Sequence, residues 1–144
     1  MFGHNKKKAY AEHMAPQWMK ILTDCRDLVN KTADPDVFFP RYDLLKETAA
    51  SLASISKYVK FKGTKPAEVL RMAQEQEEAA TRDFILRSFQ RAVLGAEKAK
   101  TEKGKRSQFD RFQEKLEPYY CQMSAANADL VQQLHDEAIA KIGG

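Results

Sequence analysis

The stretch KTEKGKRSQFD, residues 100–110, decides the fold that this sequence predicts. It separates two amphipathic patterns. Its Gly104 is a glycine, the residue type found most often at the C-terminal end of a helix. Ser107 then serves as a helix N-cap, and Asp110 follows three residues later, where a carboxylate is favoured near the positive end of a helix. The stretch therefore predicts a turn at which one long helix ends and another begins.

Two long helices are predicted on either side of this turn. The third helix of the chain runs from about Lys65 to Lys100, which spans roughly 50 Å at 1.5 Å per residue. The fourth runs from Ser107 towards the C-terminus, and Pro118 should kink or divide it because proline lacks the backbone N–H. Apolar residues of the fourth helix recur in steps of three and four, which is typical of a heptad seam. The seam consists of Phe109, Phe112, Leu116, Tyr119, Met123, Ala126 and Leu130, and continues loosely through Leu134, Ala138 and Ile142.

The two long helices are expected to pair as an antiparallel hairpin. A fold about Gly104 pairs residues whose numbers sum to about 208. Gly95 then lies near Phe112 and Gln113, and Phe89 lies near Tyr119. A small residue faces a large one at the first of these places, which is the complementarity that a helical hairpin needs.

Two shorter helices are predicted before the hairpin. The first runs from Pro16 to about Thr32, and the stretch ADPDVFFPRY, residues 33–42, ends it because a residue before proline disfavours the α conformation. The second starts near Pro40 and stops before Gly63. These helices are expected to cover the hairpin. The fold class predicted is therefore all-α, an antiparallel up-down four-helix bundle built on the long hairpin of the third and fourth helices.

The length and composition are those of one globular domain. A chain of 144 residues can bury one core, and 43 % hydrophobic with 31 % charged residues argues against disorder along the whole length. Residues 1–14 are polar and basic and are expected to form a flexible arm, whereas residues 15–144 form a single helical bundle domain.

The cysteines and the N-terminus favour a cytoplasmic location. Cys25 and Cys121 lie far apart with no CxxC, so neither a disulfide framework nor a zinc site is indicated. The N-terminal residues include no continuous apolar run of the kind found in signal peptides or membrane spans.

The charge pattern offers one candidate binding surface. The chain carries a net charge of +4 with a pI near 9.0. In an up-down bundle the turn at 100–106 lies at the same end as Asp34 and Asp36, which would partly neutralise its cations. The opposite end is rich in lysine and could contact nucleic acid or an anionic membrane surface, although such ends are commonly just solvated. The candidate anion-binding residues are Lys57, Lys60, Lys62 and Lys65, with Lys6, Lys7, Lys8 and Lys141 beside them.

No catalytic, cofactor-binding or metal-ligating pattern is found in the sequence. His135 lacks the second histidine of HExxH and is expected to be a partly exposed surface residue. Cys121 lies on the apolar seam, where its thiol should be neutral and inert. Tyr119 and Tyr120 are expected in the core, although they could line a small pocket between helices. We therefore expect no enzymatic activity, no cofactor and no metal.

Two functions remain open from the sequence. The chain resembles many small helical bacterial proteins, and this resemblance assigns no role to any residue. The first hypothesis is a non-enzymatic helical module that binds protein, another chain or itself as a homodimer, because the long hairpin has more apolar seam than two short helices cover. The alternative is a binder of an anionic surface through the Lys57–Lys65 end and the N-terminal lysines.

Overall fold

The structure, a computed structural model, describes residues 2–143. Within this range the chain is all-helical and has no strand, which confirms the all-α prediction. No helix in residues 2–143 has both the length and the apolar character needed to traverse a bilayer. The α-helices are α1 (Phe2–Lys31), α2 (Pro35–Ser54), α3 (Pro66–Glu75), α4 (Glu77–Lys98), α5 (Glu102–Leu116) and α6 (Ala125–Gly143), and a 3-10 helix (Glu117–Gln122) precedes α6.

Helix α1 begins at Phe2 rather than at Pro16, so the predicted helix boundary is wrong. Ala11 and Ala15 are buried, with 0 % and 4 % of their surfaces exposed, and they extend the apolar stripe of α1 towards its start. The sequence did not predict this part of the helix, because two small alanines give only a weak apolar periodicity in a lysine-rich segment. The flexibility expected for residues 1–14 stays a prediction.

The chain forms two compact units. The first unit comprises residues 2–30 and Pro40–Glu77, and the second unit comprises Lys31–Phe39 and residues 78–143. The single domain expected for residues 15–144 stays a prediction.

Helices α1 and α2 run antiparallel in the first unit. The Cys25 thiol of α1 interacts with Arg41 of α2, and the ring of His4 lies 5.4 Å from that of Tyr58, just after α2. Burial raises the pKa of the Cys25 thiol, although Arg41 opposes this effect. The two helices bury apolar residues at helical spacing, which are Leu22, Cys25 and Val29 of α1 and Tyr42, Leu45, Ala49 and Leu52 of α2.

Helix α3 is joined to α2 by polar contacts. The Tyr42 hydroxyl donates a 2.6 Å hydrogen bond to the carbonyl of Ala73, and burial beside Glu77 raises the pKa of Tyr42 to about 12. Lys46 Nζ lies 2.7 Å from Oε1 of Glu77. The chain breaks between α3 and α4 at Gln76, so the single long third helix of the prediction is two helices.

Three helices form the body of the second unit. The ring of Phe89 in α4 lies 5.7 Å from that of Phe109 and 5.4 Å from that of Phe112, both in α5. Gln113 of α5 donates a 2.6 Å hydrogen bond to Oε1 of Gln132 in α6. Helices α4 and α6 both pack against α5 and run antiparallel to it.

The turn between α4 and α5 lies earlier than predicted. Helix α4 ends at Lys98, and the N-cap of α5 is Thr101, whose Oγ1 accepts a 3.0 Å hydrogen bond from the N–H of Gly104. Gly104 therefore lies inside the first turn of α5 instead of ending the preceding helix, and Ser107 is not the cap. The cap decides the turn because it satisfies a backbone N–H that has no partner within the helix.

The earlier turn shifts the pairing of the two helices. Phe89 contacts Phe109 and Phe112 rather than Tyr119, which lies roughly two turns further along the chain. Gly95 faces Gln108 rather than Phe112 and Gln113, because a Cβ built at Gly95 would lie 2.5 Å from Oε1 of Gln108. The division expected at Pro118 is confirmed by the 3-10 helix there.

Replacing Thr101 with alanine should lower the free energy of unfolding by about 1 kcal/mol, because the Gly104 N–H loses its acceptor. Urea unfolding followed by circular dichroism measures the loss. Ser107→Ala is the matched control and should change stability by less than about 0.5 kcal/mol. A larger loss for Ser107→Ala than for Thr101→Ala would contradict the observed turn.

Candidate functional site

The second unit has an apolar groove of about 480 Å³ between α4, α5 and α6. Three elements of the chain supply its walls, and the space lies near the turn that joins α4 to α5. Its apolar lining consists of Phe89, Val93 and Ala96 of α4, Phe109 of α5, and Leu134, Ala138 and Ile142 of α6.

Helical spacing aligns these walls. Leu134, Ala138 and Ile142 are four residues apart and so lie on one face of α6, and Phe89, Val93 and Ala96 occur at steps of four and three on α4. The two alanines leave space where larger side chains would meet across the helices. Both are buried, Ala96 at 6 % and Ala138 at 7 % exposed, so they form the floor of the groove.

Charges of both signs surround the apolar floor. Glu97, Glu102 and Glu137 line the groove together with Lys105 and Lys141. No salt bridge within residues 2–143 involves any of these five side chains, although Glu137 accepts a 3.1 Å hydrogen bond from the Gln133 amide.

The apolar stripe of α4 continues beyond the groove. Leu86 precedes Phe89 by three residues and Val93 by seven, which places it on the same side of α4. Its surface is 41 % exposed, and that of Leu94, on a different side, is 49 % exposed. The groove and Leu86 together form an apolar surface that the described residues of this unit leave uncovered.

The predicted anion-binding lysines lie in the first unit. Lys57, Lys60, Lys62 and Lys65 are all exposed in the segment between α2 and α3, and no salt bridge of the described chain involves them. Lys57 Nζ lies 5.1 Å from the ring centroid of Tyr58.

The structure brings the N-terminal lysines towards these four. The contact between His4 and Tyr58 joins the start of α1 to the segment after α2, so Lys6, Lys7 and Lys8 belong to the same end of the first unit. Lys8 also lies 3.9 Å from Glu12. Lys141 lies in α6 of the second unit and lines the groove.

Asp34 and Asp36 do not neutralise the turn at 100–106, so that prediction is wrong. Asp34 lines a pocket with Arg91, Arg111 and Lys115, and Asp36 accepts a 2.5 Å hydrogen bond from the Tyr119 hydroxyl. This bond, with burial and the charge of Asp36, raises the pKa of Tyr119 to about 12. The aspartates lie along α5 rather than at its start because Phe39 stacks on Tyr119, with ring centroids 4.5 Å apart.

His135 connects α5 to α6 in a way that the sequence did not indicate. Its Nε2 lies 2.8 Å from Oδ1 of Asp110, and its Nδ1 lies 3.1 Å from Oδ1 of Asp136. Burial lowers the pKa of His135, but hydrogen bonds and charges of the two aspartates outweigh it and raise the pKa above 6.5. Hydrogen bonds from His135 and Gln132 hold the pKa of Asp136 below its ordinary value.

A raised histidine pKa predicts a loss of stability as the pH rises. The folded state binds this proton more tightly than the unfolded state. The contribution of His135 to the free energy of unfolding is therefore complete below about pH 6.5, and it is lost as the pH rises through the raised pKa. The free energy of unfolding should fall above pH 6.5 by at most about 1.4 kcal/mol per pH unit. Urea unfolding between about pH 6 and pH 8.5 measures the slope.

The His135→Gln variant should lose this fall, because glutamine does not titrate. His13→Gln removes an exposed histidine and is the control that should retain the wild-type slope. An identical pH dependence in wild type and His135→Gln would contradict the assignment.

The 3-10 helix determines the exposure of Cys121 and Tyr120. Cys121 is exposed rather than on a buried seam, because the 3-10 helix that contains Pro118 changes the helical rotation that placed it there. The Tyr120 hydroxyl is buried near Gln113, and burial raises the pKa of Tyr120. Within residues 2–143, no three His, Cys, Asp or Glu side chains come together as metal ligands would.

The groove is an open apolar feature that α4, α5 and α6 form together. No protein-family model matches this chain, and no curated protein or solved structure matches it. Its apolar walls can hold aliphatic and aromatic groups, and its charged rim can orient what it holds.

Proposed function

We propose that this chain is a non-enzymatic protein-interaction module that holds an amphipathic helix of its partner in the groove of the second unit. The observation that supports this proposal is an open apolar space of about 480 Å³ with charges around it. The partner helix belongs to another protein or, in a homodimer, to a second copy of this chain. The module needs no cofactor. The proposal also includes a cytoplasmic location and an up-down order of the four predicted helices.

The dimensions of the groove suit a helix. The wall from Leu134 to Ile142 is about 12 Å long at 1.5 Å per residue, which is slightly more than two helical turns. A partner with apolar side chains at positions i, i+3 or i+4, and i+7 would place three of them along this length. Because the rim has three glutamates and two lysines, it suits a helix that carries both signs of charge.

Affinity capture with groove variants tests the proposal. Leu134→Glu places a carboxylate in the apolar wall and should reduce partner capture at least tenfold, since an unpaired charge in an apolar contact costs more than 1.4 kcal/mol. Leu94→Glu makes the same change at an exposed site away from the groove and is the matched control. The partner is identified by mass spectrometry, and a peptide of its amphipathic helix should compete.

The homodimeric form has its own measurement. Multi-angle light scattering of wild type over a range of concentrations should show twice the 16.4 kDa chain mass, and Leu134→Glu should be monomeric. A monomeric wild type together with equal capture by both leucine variants would overturn the proposed function.

The second candidate function is binding of an anionic surface by the first unit. The contact between His4 and Tyr58 favours it, because the beginning of α1 then lies beside Lys57–Lys65. Fluorescence anisotropy with oligonucleotides and sedimentation with anionic vesicles should show salt-sensitive binding. This binding should fall in a triple variant with alanine at Lys60, Lys62 and Lys65, and persist in a control with alanine at Lys98, Lys100 and Lys103.

A further inference from the structure

A second, polar pocket of about 190 Å³ lies between α4 and α5 in the second unit. The segment that precedes α2 forms its third side, through Ala33 and Asp34. It is distinct from the apolar groove, with which it shares no lining residue. Its polar lining consists of Ser88 and Arg91 of α4, Gln108, Arg111 and Lys115 of α5, and Asp34.

Helical spacing brings these side chains together. Ser88 and Arg91 are three residues apart on α4, and Gln108, Arg111 and Lys115 follow at steps of three and four on α5. Each set therefore shares one face of its helix, and the two faces meet at the pocket. Residues far apart in the sequence thus place two guanidinium groups, one ammonium group, one amide and one hydroxyl around the same space.

The side of the pocket formed by residues 31–39 is held firmly. Nε of Arg87 donates a 3.2 Å hydrogen bond to the carbonyl of Thr32. The ring of Phe38 stacks on that of Phe84 with centroids 4.3 Å apart. Asp34 itself is held from both directions, since its N–H donates to Oγ1 of Thr32 and its Oδ1 accepts from the N–H of Asp36, each at 3.0 Å. The pocket wall is therefore preorganised by contacts within the unit.

The pocket has an excess of positive charge. Three cations and one carboxylate line it. No salt bridge within the described chain involves Arg91, Arg111 or Lys115. Like charges that converge without partners repel one another, and an anion between them relieves that repulsion.

We propose that this pocket binds the phosphate group of a small phosphorylated molecule. Guanidinium groups match the oxygens of phosphate as paired donors, and lysine adds a point charge. The Gln108 amide and the Ser88 hydroxyl supply neutral donors of the kind that fix orientation in ligand sites. The Asp34 carboxylate repels the bound anion and therefore weakens its binding.

An NMR titration of the full, nitrogen-15-labelled chain tests the proposal. The probes are inorganic phosphate and glycerol 3-phosphate, each added at constant ionic strength. Saturable shifts are expected for the backbone amides of Ser88, Arg91, Gln108 and Arg111. Tighter binding of glycerol 3-phosphate would identify a phosphate ester as the ligand, and equal or tighter binding of inorganic phosphate would identify the free ion.

Three variants make the test specific. Arg111→Gln should weaken binding about tenfold, because it removes a charged donor to the anion. Asp34→Asn should strengthen binding several-fold, since it removes the opposing charge and keeps an oxygen for the N–H of Asp36. Lys103→Gln is the control for loss of one positive charge on α5 and should leave binding unchanged.

Two results would overturn the phosphate site. One is a set of unsaturable shifts spread over all basic residues, which would mean that phosphate screens surface charge only. The other is equal affinity in wild type, Arg111→Gln and Asp34→Asn. A folded spectrum for each variant ensures that a loss of binding reflects the pocket rather than unfolding.

Discussion

Phe84→Ala should lower the free energy of unfolding by about 3–5 kcal/mol, the cost typical of removing a buried phenylalanine ring. None of the surface of Phe84 is exposed. Its ring stacks on Phe38, meets Phe39 edge to face with centroids 5.7 Å apart, and lies below the guanidinium of Arg87. Alanine would remove all three ring contacts at once and leave a cavity in the second unit.

Two further variants distinguish the loss of the buried Phe84 ring from a general loss of apolar surface. Phe84→Leu retains most of the volume and should cost less than Phe84→Ala, and Leu86→Ala, on the exposed side of the same helix, should cost about 0.5 kcal/mol or less. Urea unfolding followed by circular dichroism gives all three values. A cost below about 1 kcal/mol for Phe84→Ala would contradict the packing of residues 31–39 on α4.

Leu116→Ala should cost about 2–5 kcal/mol of unfolding free energy. Leu116 has no exposed surface and ends α5, immediately before the 3-10 helix that turns the chain towards α6. Its loss opens a cavity at the junction of α5 and the 3-10 helix, and the fixed φ of Pro118 restricts the relaxation that could fill it.

Leu94→Ala is the matched control for Leu116, because it makes the same chemical change where 49 % of the surface is exposed. Chemical denaturation at equal protein concentration compares the two variants. Equal losses of stability would show that Leu116 is not the buried residue that the fold requires.

The helical character of the chain was predictable, but the turn that joins the two long segments was not placed correctly. Thr101 and Ser107 are both acceptable caps, and Gly104 suits the end of one helix as well as the first turn of the next. Sequence alone does not choose between them. Once Thr101 is the cap, the register of α5 against α4 shifts, and the predicted pairing of Phe89 with Tyr119 fails.

One wall of the candidate groove was visible in the sequence, although its exposure was not. Leu134, Ala138 and Ile142 continue the predicted seam of the fourth helix. Periodicity identifies an apolar face, but tertiary packing decides whether another element covers it. The polar pocket gave even less signal, because Arg91, Arg111 and Lys115 belong to no motif and converge only through the register of α4 and α5.

Site-specific photo-crosslinking tests the central proposal, that a protein helix occupies the groove, most directly. A benzophenone amino acid at Leu134 places the reactive group in the groove wall, and the same amino acid at Leu94 places it on exposed surface outside. Irradiation in cells should link Leu134 to one amphipathic helix of a partner or of a second copy, whereas Leu94 should give little product. Equal crosslinking from both positions, or none from Leu134, would contradict the proposed role of the groove.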